Sequence, residues 1–191
     1  MKPMKKLLCM LIAGVMAVSA VGCGSKEAKE PAVQEEVTEK TATEDAAIEE
    51  TKTGTHVIVD HLGLEVEVPY EVNRIAVGNI LPLPSVLTVF FDSAEKIVGM
   101  SPNSMSAAQN GLLGELYPEI LNAKTDHMNG TEINLEELMK LEPDIVLYSA
   151  SQPEQGEQLR NAGFAAVALS VNKWEYNAIE TLNQWISLLS E

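Results

Sequence analysis

The chain has 191 residues, 28 of them acidic and 13 basic, for a formal net charge of −15. A balance so acidic excludes a nucleic-acid footprint, which needs clustered lysine and arginine. Its two cysteines, Cys9 and Cys23, both lie near the amino end, which excludes a disulfide framework or a thiolate metal site in the body of the protein.

Residues 1–22 read as an export signal. MKPMKK supplies a positive end, and LLCMLIAGVMAVSAV is an apolar run of 15 residues, short for a membrane span. The run ends at AVGC, where Ala20 and Gly22 are small and Cys23 stands at the cleavage point. That arrangement resembles the lipobox of bacterial lipoproteins, which implies that Cys23 is lipidated and holds the protein to a lipid membrane. The alternative is an ordinary signal peptide with an incidental cysteine. Several acyl chains on one residue would anchor stably, at about 0.8 kcal/mol per buried methylene. Cleavage before Cys23 removes three of the 13 basic residues and no acids, so 10 basic residues face 28 acidic ones and the charge becomes −18. After Cys23, residues 24–54 hold nine acids, four lysines and no aromatic residue. Such a composition cannot bury enough apolar surface to order itself, and residues 23–54 read as a lipidated cysteine with an acidic flexible tether. An exposed charged helix from Val33 to Glu50 is the rival reading.

Residues 55–191 suffice for one domain with its own core. HVIVDHLGLEVEVP predicts a β-hairpin, with Gly63 at its connection and Pro69 ending the second strand. RIAVG (74–78) is short, continuous and β-branched, as a strand covered on both faces should be. Pro82 and Pro84 open a helical segment through PSVLTVFFDSA. KIVGM (96–100) predicts a second buried strand, and SPNSMSAAQNG a polar loop or a loop with a turn. GLLGELYPEIL predicts a helix broken near Pro118, and NAKTDHMNGTE a loop. INLEELMKLEPDIVLYSAS (133–151) is a short helix feeding a buried strand, with Glu137 placed as a capping-box partner of Asn134. EQGEQLRNAGF is another helix and AAVALS (165–170) a fourth strand. WEYNAIETLNQWISLLSE predicts an amphipathic helix with Ile179, Leu182, Trp185, Ile186 and Leu189 on one side.

Strand alternating with helix implies an α/β fold: a mostly parallel, Rossmann-like sheet with flanking helices and an N-terminal hairpin. Ligands of such sheets sit outside the carboxyl ends of the strands. Those ends are Gly78–Asn79, Met100–Ser106, Ser149–Gln152 and Ser170–Lys173, a polar rim charged only at Lys173.

Positive signals for catalysis are missing. GLLGEL follows no predicted strand and lacks a nucleotide fingerprint, and no G-x-S-x-G elbow occurs. His56 and His61 differ by an odd number in an extended run and so point to opposite faces, and His127 is favoured as a solvated partner of Asp126. A protein-built transition-metal site is therefore not expected.

The order of these pieces carries a resemblance. A VIVDHLGLEVEVP hairpin, RIAVG, then NLEELMKLEPDIVLYS, behind a lipobox and an acidic tether, resembles the substrate-binding lipoproteins of ABC importers for iron–siderophore complexes, haem and cobalamin. The resemblance spans residues 55–191 and implies a non-enzymatic protein of two α/β lobes flanking a cleft. Residues 55–173 would be the N-terminal lobe and residues 174–191 the start of the interlobe helix, with the second lobe absent. The implied ligand is a small metal chelate, a ferric siderophore before cobalamin or haem, and the implied partners are the permease and its ATPase. An interaction lipoprotein with no transport role is the alternative from another class. By position, Asn79, Asn103, Ser104, Ser151, Gln152 and Trp174 border the expected cleft. Glu136, in an Asn-Leu-Glu segment like the family's, is carried over as the permease-docking residue; the competing role is helix-dipole stabilisation. No arginine lies on the rim, because Arg74 begins a strand and Arg160 sits in a helix.

Overall fold

A computed structural model describes residues 53–191. The expectations for residues 1–52, including lipidation at Cys23, lie outside the described residues.

Strands β1 (Thr55–Val59) and β2 (Glu65–Pro69) pair antiparallel as the expected hairpin. Asp60, His61 and Gly63 form its turn, with Gly63 at φ 80. The main sheet holds β3 (Ile75–Val77), β4 (Ile97–Gly99), β7 (Ile145–Ser149) and β8 (Ala166–Leu169), all parallel, in the order β4-β3-β7-β8. The chain leaves β3 towards one edge and returns to its other side at β7. That reversal is the topological switch point, where open α/β sheets bind ligands.

Strand alternation sorts the core into two faces. On one face Ile75, Val77, Leu147, Val167 and Leu169 join hairpin residues Ile58, Val66 and Val68. They pack beside Leu83 and Leu87 of α1 (Leu83–Phe91) and Trp185 and Leu188 of α6 (Ala178–Leu189). On the other face Ala76, Val146, Tyr148, Ala166 and Ala168 meet Leu138 of α4 (Leu135–Met139) and Leu159 of α5 (Pro153–Asn161). Three of these five strand residues are alanines, so the helices on this side can approach closely. Tyr148 takes up that room, directly beneath Gly156 of α5.

Three expectations need correction. SPNSMSAAQNG is not a loop: Pro102–Gln109 forms α2, because Ser101 accepts the Ser104 N–H at 3.2 Å and Pro102 stands at the first helical position. The segment expected as a loop before α4 holds a small hairpin, β5 (Met128–Asn129) with β6 (Glu132–Ile133), turned by Gly130 at φ 64. The last helix starts at Ala178, capped by Asn177, so Trp174 precedes it. Its buried face is Thr181, Trp185 and Leu188, leaving Ile179, Leu182 and Ile186 exposed. Trp185 is drawn inward because its indole N–H donates to the Ser170 carbonyl at 2.8 Å. GLLGELYPEIL does break as expected, into α3 (Leu112–Leu116) and a 3-10 turn, Pro118–Asn122.

The hairpin turn closes one edge of the main sheet. The His61 N–H donates to the Ala168 carbonyl at 3.1 Å, and the Ala168 N–H donates to Asp60 Oδ2 at 3.2 Å. The Ser170 N–H donates to His61 Nδ1 at 3.0 Å, which puts the imidazole proton on Nε2. His127, expected in solvent, is 1% exposed and bonds the Val77 carbonyl through Nε2 at 3.3 Å. Burial holds both imidazoles below the ordinary value of 6.5. The folded protein therefore binds fewer protons than the unfolded chain as pH falls through that value. Stability should be complete above about pH 6.5 and decline below it. Denaturant midpoints between pH 7.5 and pH 5 should show the decline. His61→Asn, which keeps an acceptor for the Ser170 N–H, should flatten it; an unchanged slope would remove His61 from the cause.

Candidate functional site

Four connections follow the carboxyl ends of the strands and build the rim. After β3, the Gly78 N–H donates to the Leu147 carbonyl at 2.8 Å. An added Cβ there would lie 3.3 Å from Ile133 and 3.4 Å from that carbonyl, so the close approach favours glycine. Asn79 follows, half-buried. After β4, Ser104 is buried: its hydroxyl meets Ser101 Oγ at 3.0 Å and donates to the Leu81 carbonyl at 3.3 Å. It ties α2 to the entrance of α1, while its neighbour Asn103 is exposed.

After β7, the Ser149 and Ser151 hydroxyls are 2.8 Å apart, and the Gln152 side-chain amide donates to the Thr131 carbonyl at 3.1 Å. That bond brings the β5–β6 hairpin against the start of α5. Between them lies an open hollow of about 420 Å³ lined by Glu132, Ser151, Gln152, Pro153, Glu154, Gln155 and Gln158. After β8, Ser170 Oγ accepts the Lys173 N–H at 3.0 Å. Lys173 Nζ donates to the His61 carbonyl at 2.9 Å, and Trp174 meets the His61 ring edge-on at 4.9 Å.

The hollow thus unites Ser151 and Gln152, whereas Asn79, Asn103, Ser104 and Trp174 do not line it. Glu132, Glu154, Gln155 and Gln158 were not anticipated. Placing α5 directly after the Ser149–Gln152 strand end could have pointed to Glu154 and Gln155; Glu132 carried no local signal. A smaller apolar cavity of about 190 Å³ lies between the hairpin, α6 and the sheet. Its lining runs from Ile75 and Ile145, the first residues of β3 and β7, to Leu169, the last of β8, so it lies against the face of the sheet.

Charged groups away from the hollow are unevenly engaged. Arg74 donates to the Leu141 and Glu142 carbonyls and Arg160 to the Tyr148 hydroxyl, so both arginines serve the fold. Asn134 caps α4 by accepting the Glu136 and Glu137 N–H groups at 3.0 and 3.3 Å. No capping box forms. The Asn134 N–H goes to the His127 carbonyl at 2.8 Å, and the Glu137 carboxylate pairs with Lys140 at 2.6 Å. Glu136 is exposed, and among the described residues its carboxylate has no hydrogen-bond or ion-pair partner. Among the described residues, no group of three or more His, Cys, Asp or Glu could hold a metal ion, and no helix is long and apolar enough to cross a membrane.

Solved structures share this fold. A periplasmic solute-binding protein from Veillonella parvula matches at 28% identity and a TM-score of 0.62, over 72% of this chain and 42% of that one. The chain is similar to periplasmic solute-binding proteins. The molybdate periplasmic binding protein of a Haemophilus influenzae ABC transporter, solved with molybdate bound, matches at 29% identity and a TM-score of 0.51, over 61% and 35%. A heme-binding protein at 20% identity and a TM-score of 0.53 shares the fold, over 70% and 40%. The chain spans less than half the length of these solute-binding relatives. No family model matches the sequence, and no curated protein does.

Proposed function

We propose that this chain is the N-terminal lobe of an ABC-importer solute-binding protein, exported and lipid-anchored through Cys23 on the tether of residues 24–54. Its rim captures a metal chelate such as a ferric siderophore and delivers it to the permease. The observation that carries this reading is the parallel sheet with a hollow beyond the carboxyl end of β7, in a chain 28% identical to a periplasmic solute-binding protein. Titrating the protein with ferric siderophores, haem and cobalamin while recording tryptophan fluorescence tests it. Trp174 stands on the rim beside His61, so occupancy of the cleft should change its emission. Absence of any response to all three classes would argue for the interaction-lipoprotein alternative.

Glu136 is the proposed docking contact, supported by an exposed carboxylate that neither caps its helix nor forms an ion pair among the described residues. Glu136→Arg should lower uptake roughly tenfold in cells carrying the importer, while leaving chelate affinity unchanged. Uptake equal to wild type would return Glu136 to helix-dipole stabilisation.

A further inference from the structure

The apolar cavity between the hairpin, α6 and the sheet is large for a protein core. Close packing leaves few voids bigger than a water molecule, yet this one measures about 190 Å³. Thirteen of its 16 lining residues are aliphatic, aromatic or proline, among them Ile58 and Val68 of the hairpin, Leu147 and Val167 of the sheet and Leu188 of α6. The other three, His56, Lys96 and Glu191, offer it little polarity. Lys96 Nζ donates to the Val72 carbonyl at 2.7 Å and stands 5.0 Å from the centre of the Phe91 ring. Neither ring nitrogen of His56 reaches accessible surface, so neither faces the cavity, and the ring stacks on Tyr70 at 4.5 Å. Glu191 is exposed to water.

We infer that this cavity is a binding site for a small neutral apolar molecule, of the size of one substituted aromatic ring. Water is the competing occupant, and it needs about two to four polar partners, which this lining does not present. An apolar cavity of about 150 Å³ stays dry and takes up benzene. At about 190 Å³, this one accommodates such a ring with a methyl group added. The guest restores dispersion contacts that the facing side chains lack. A charged guest would have to shed its hydration with no partner inside. The cavity shares no lining residue with the hollow after β7, so the inference goes beyond the solute-binding reading and stands or falls without it.

Toluene and benzoate, two probes with the same ring, test it on the full chain. Near its aqueous solubility limit, toluene should raise the thermal midpoint by roughly 2–6 °C, and benzoate should leave it unchanged. In methyl NMR spectra the signals of Leu147, Val167 and Leu188 should move with toluene, while the Trp174 indole signal on the rim stays in place. Val72→Phe and Leu189→Phe each fill the cavity from a half-buried position, so a folding failure in one leaves the other to decide. In the filled protein the toluene response should disappear. No shift with toluene, an equal shift with benzoate, signal changes confined to the rim, or an undiminished response in the filled variants overturns the inference. Each of those outcomes leaves the solute-binding reading standing, because chelate titration reads the rim alone.

Discussion

Gly156→Ala should destabilise the protein by about 2–3 kcal/mol, although the same change in an exposed helix interior adds about 1 kcal/mol. Gly156 sits inside the nine-residue helix α5, where alanine has the better intrinsic propensity. Packing reverses the sign. A Cβ at Gly156 would stand 2.0 Å from the Tyr148 hydroxyl and 2.1 Å from its ring carbon Cζ. Tyr148 is fully buried, and its hydroxyl accepts from Arg160 at 3.0 Å, so the ring cannot swing aside without losing that bond. Urea midpoints of wild type and G156A measure the loss. The cause is isolated in a Y148A background, where the space is vacated and G156A should be neutral or mildly stabilising. Equal destabilisation in both backgrounds would place the fault in the helix backbone instead.

Asp60→Ala should cost about 3 kcal/mol, more than an ordinary turn substitution, because one carboxylate serves two structures. Its Oδ1 accepts the Leu62 and Leu64 N–H groups at 2.9 and 3.0 Å, holding the hairpin turn. Its Oδ2 accepts the Ala168 N–H, at a residue with no exposed surface, and so joins the hairpin to the sheet edge. Alanine would leave that N–H buried without a partner. Asp60→Asn should be nearly as harmful, since its NH₂ must face one of the three donors. Chemical denaturation of both variants checks this, and a loss below about 0.5 kcal/mol in D60A would show that water replaces the carboxylate.

How far such features can be read in advance depends on their range along the chain. RIAVG and DIVLYS announced β3 and β7, because a strand covered on both faces needs a continuous apolar run. Helix α2 was missed for the opposite reason: among its eight residues only Ser104 and Ala108 are buried, too few to mark a periodic face. The β5–β6 hairpin was missed because two-residue strands are too short to alternate visibly. At the site, Ser151 and Gln152 were legible as the residues just past a strand end. Glu132 was not, since it joins them through the Gln152–Thr131 hydrogen bond, between residues 21 apart in sequence.

The sequence by itself determined the strands of the first hairpin and of the main sheet, where the polar carboxyl ends of that sheet fall, and that both arginines stand apart from them. These follow from periodicity and turn chemistry, which act within a few bonds. Only the tertiary structure decided that Gly156 lies over Tyr148, that Asp60 and His61 close the sheet edge at Ala168 and Ser170, and that two glutamates share a hollow with Ser151 and Gln152. Those pairings depend on the strand order β4-β3-β7-β8, which sets side by side segments with no local signal for one another.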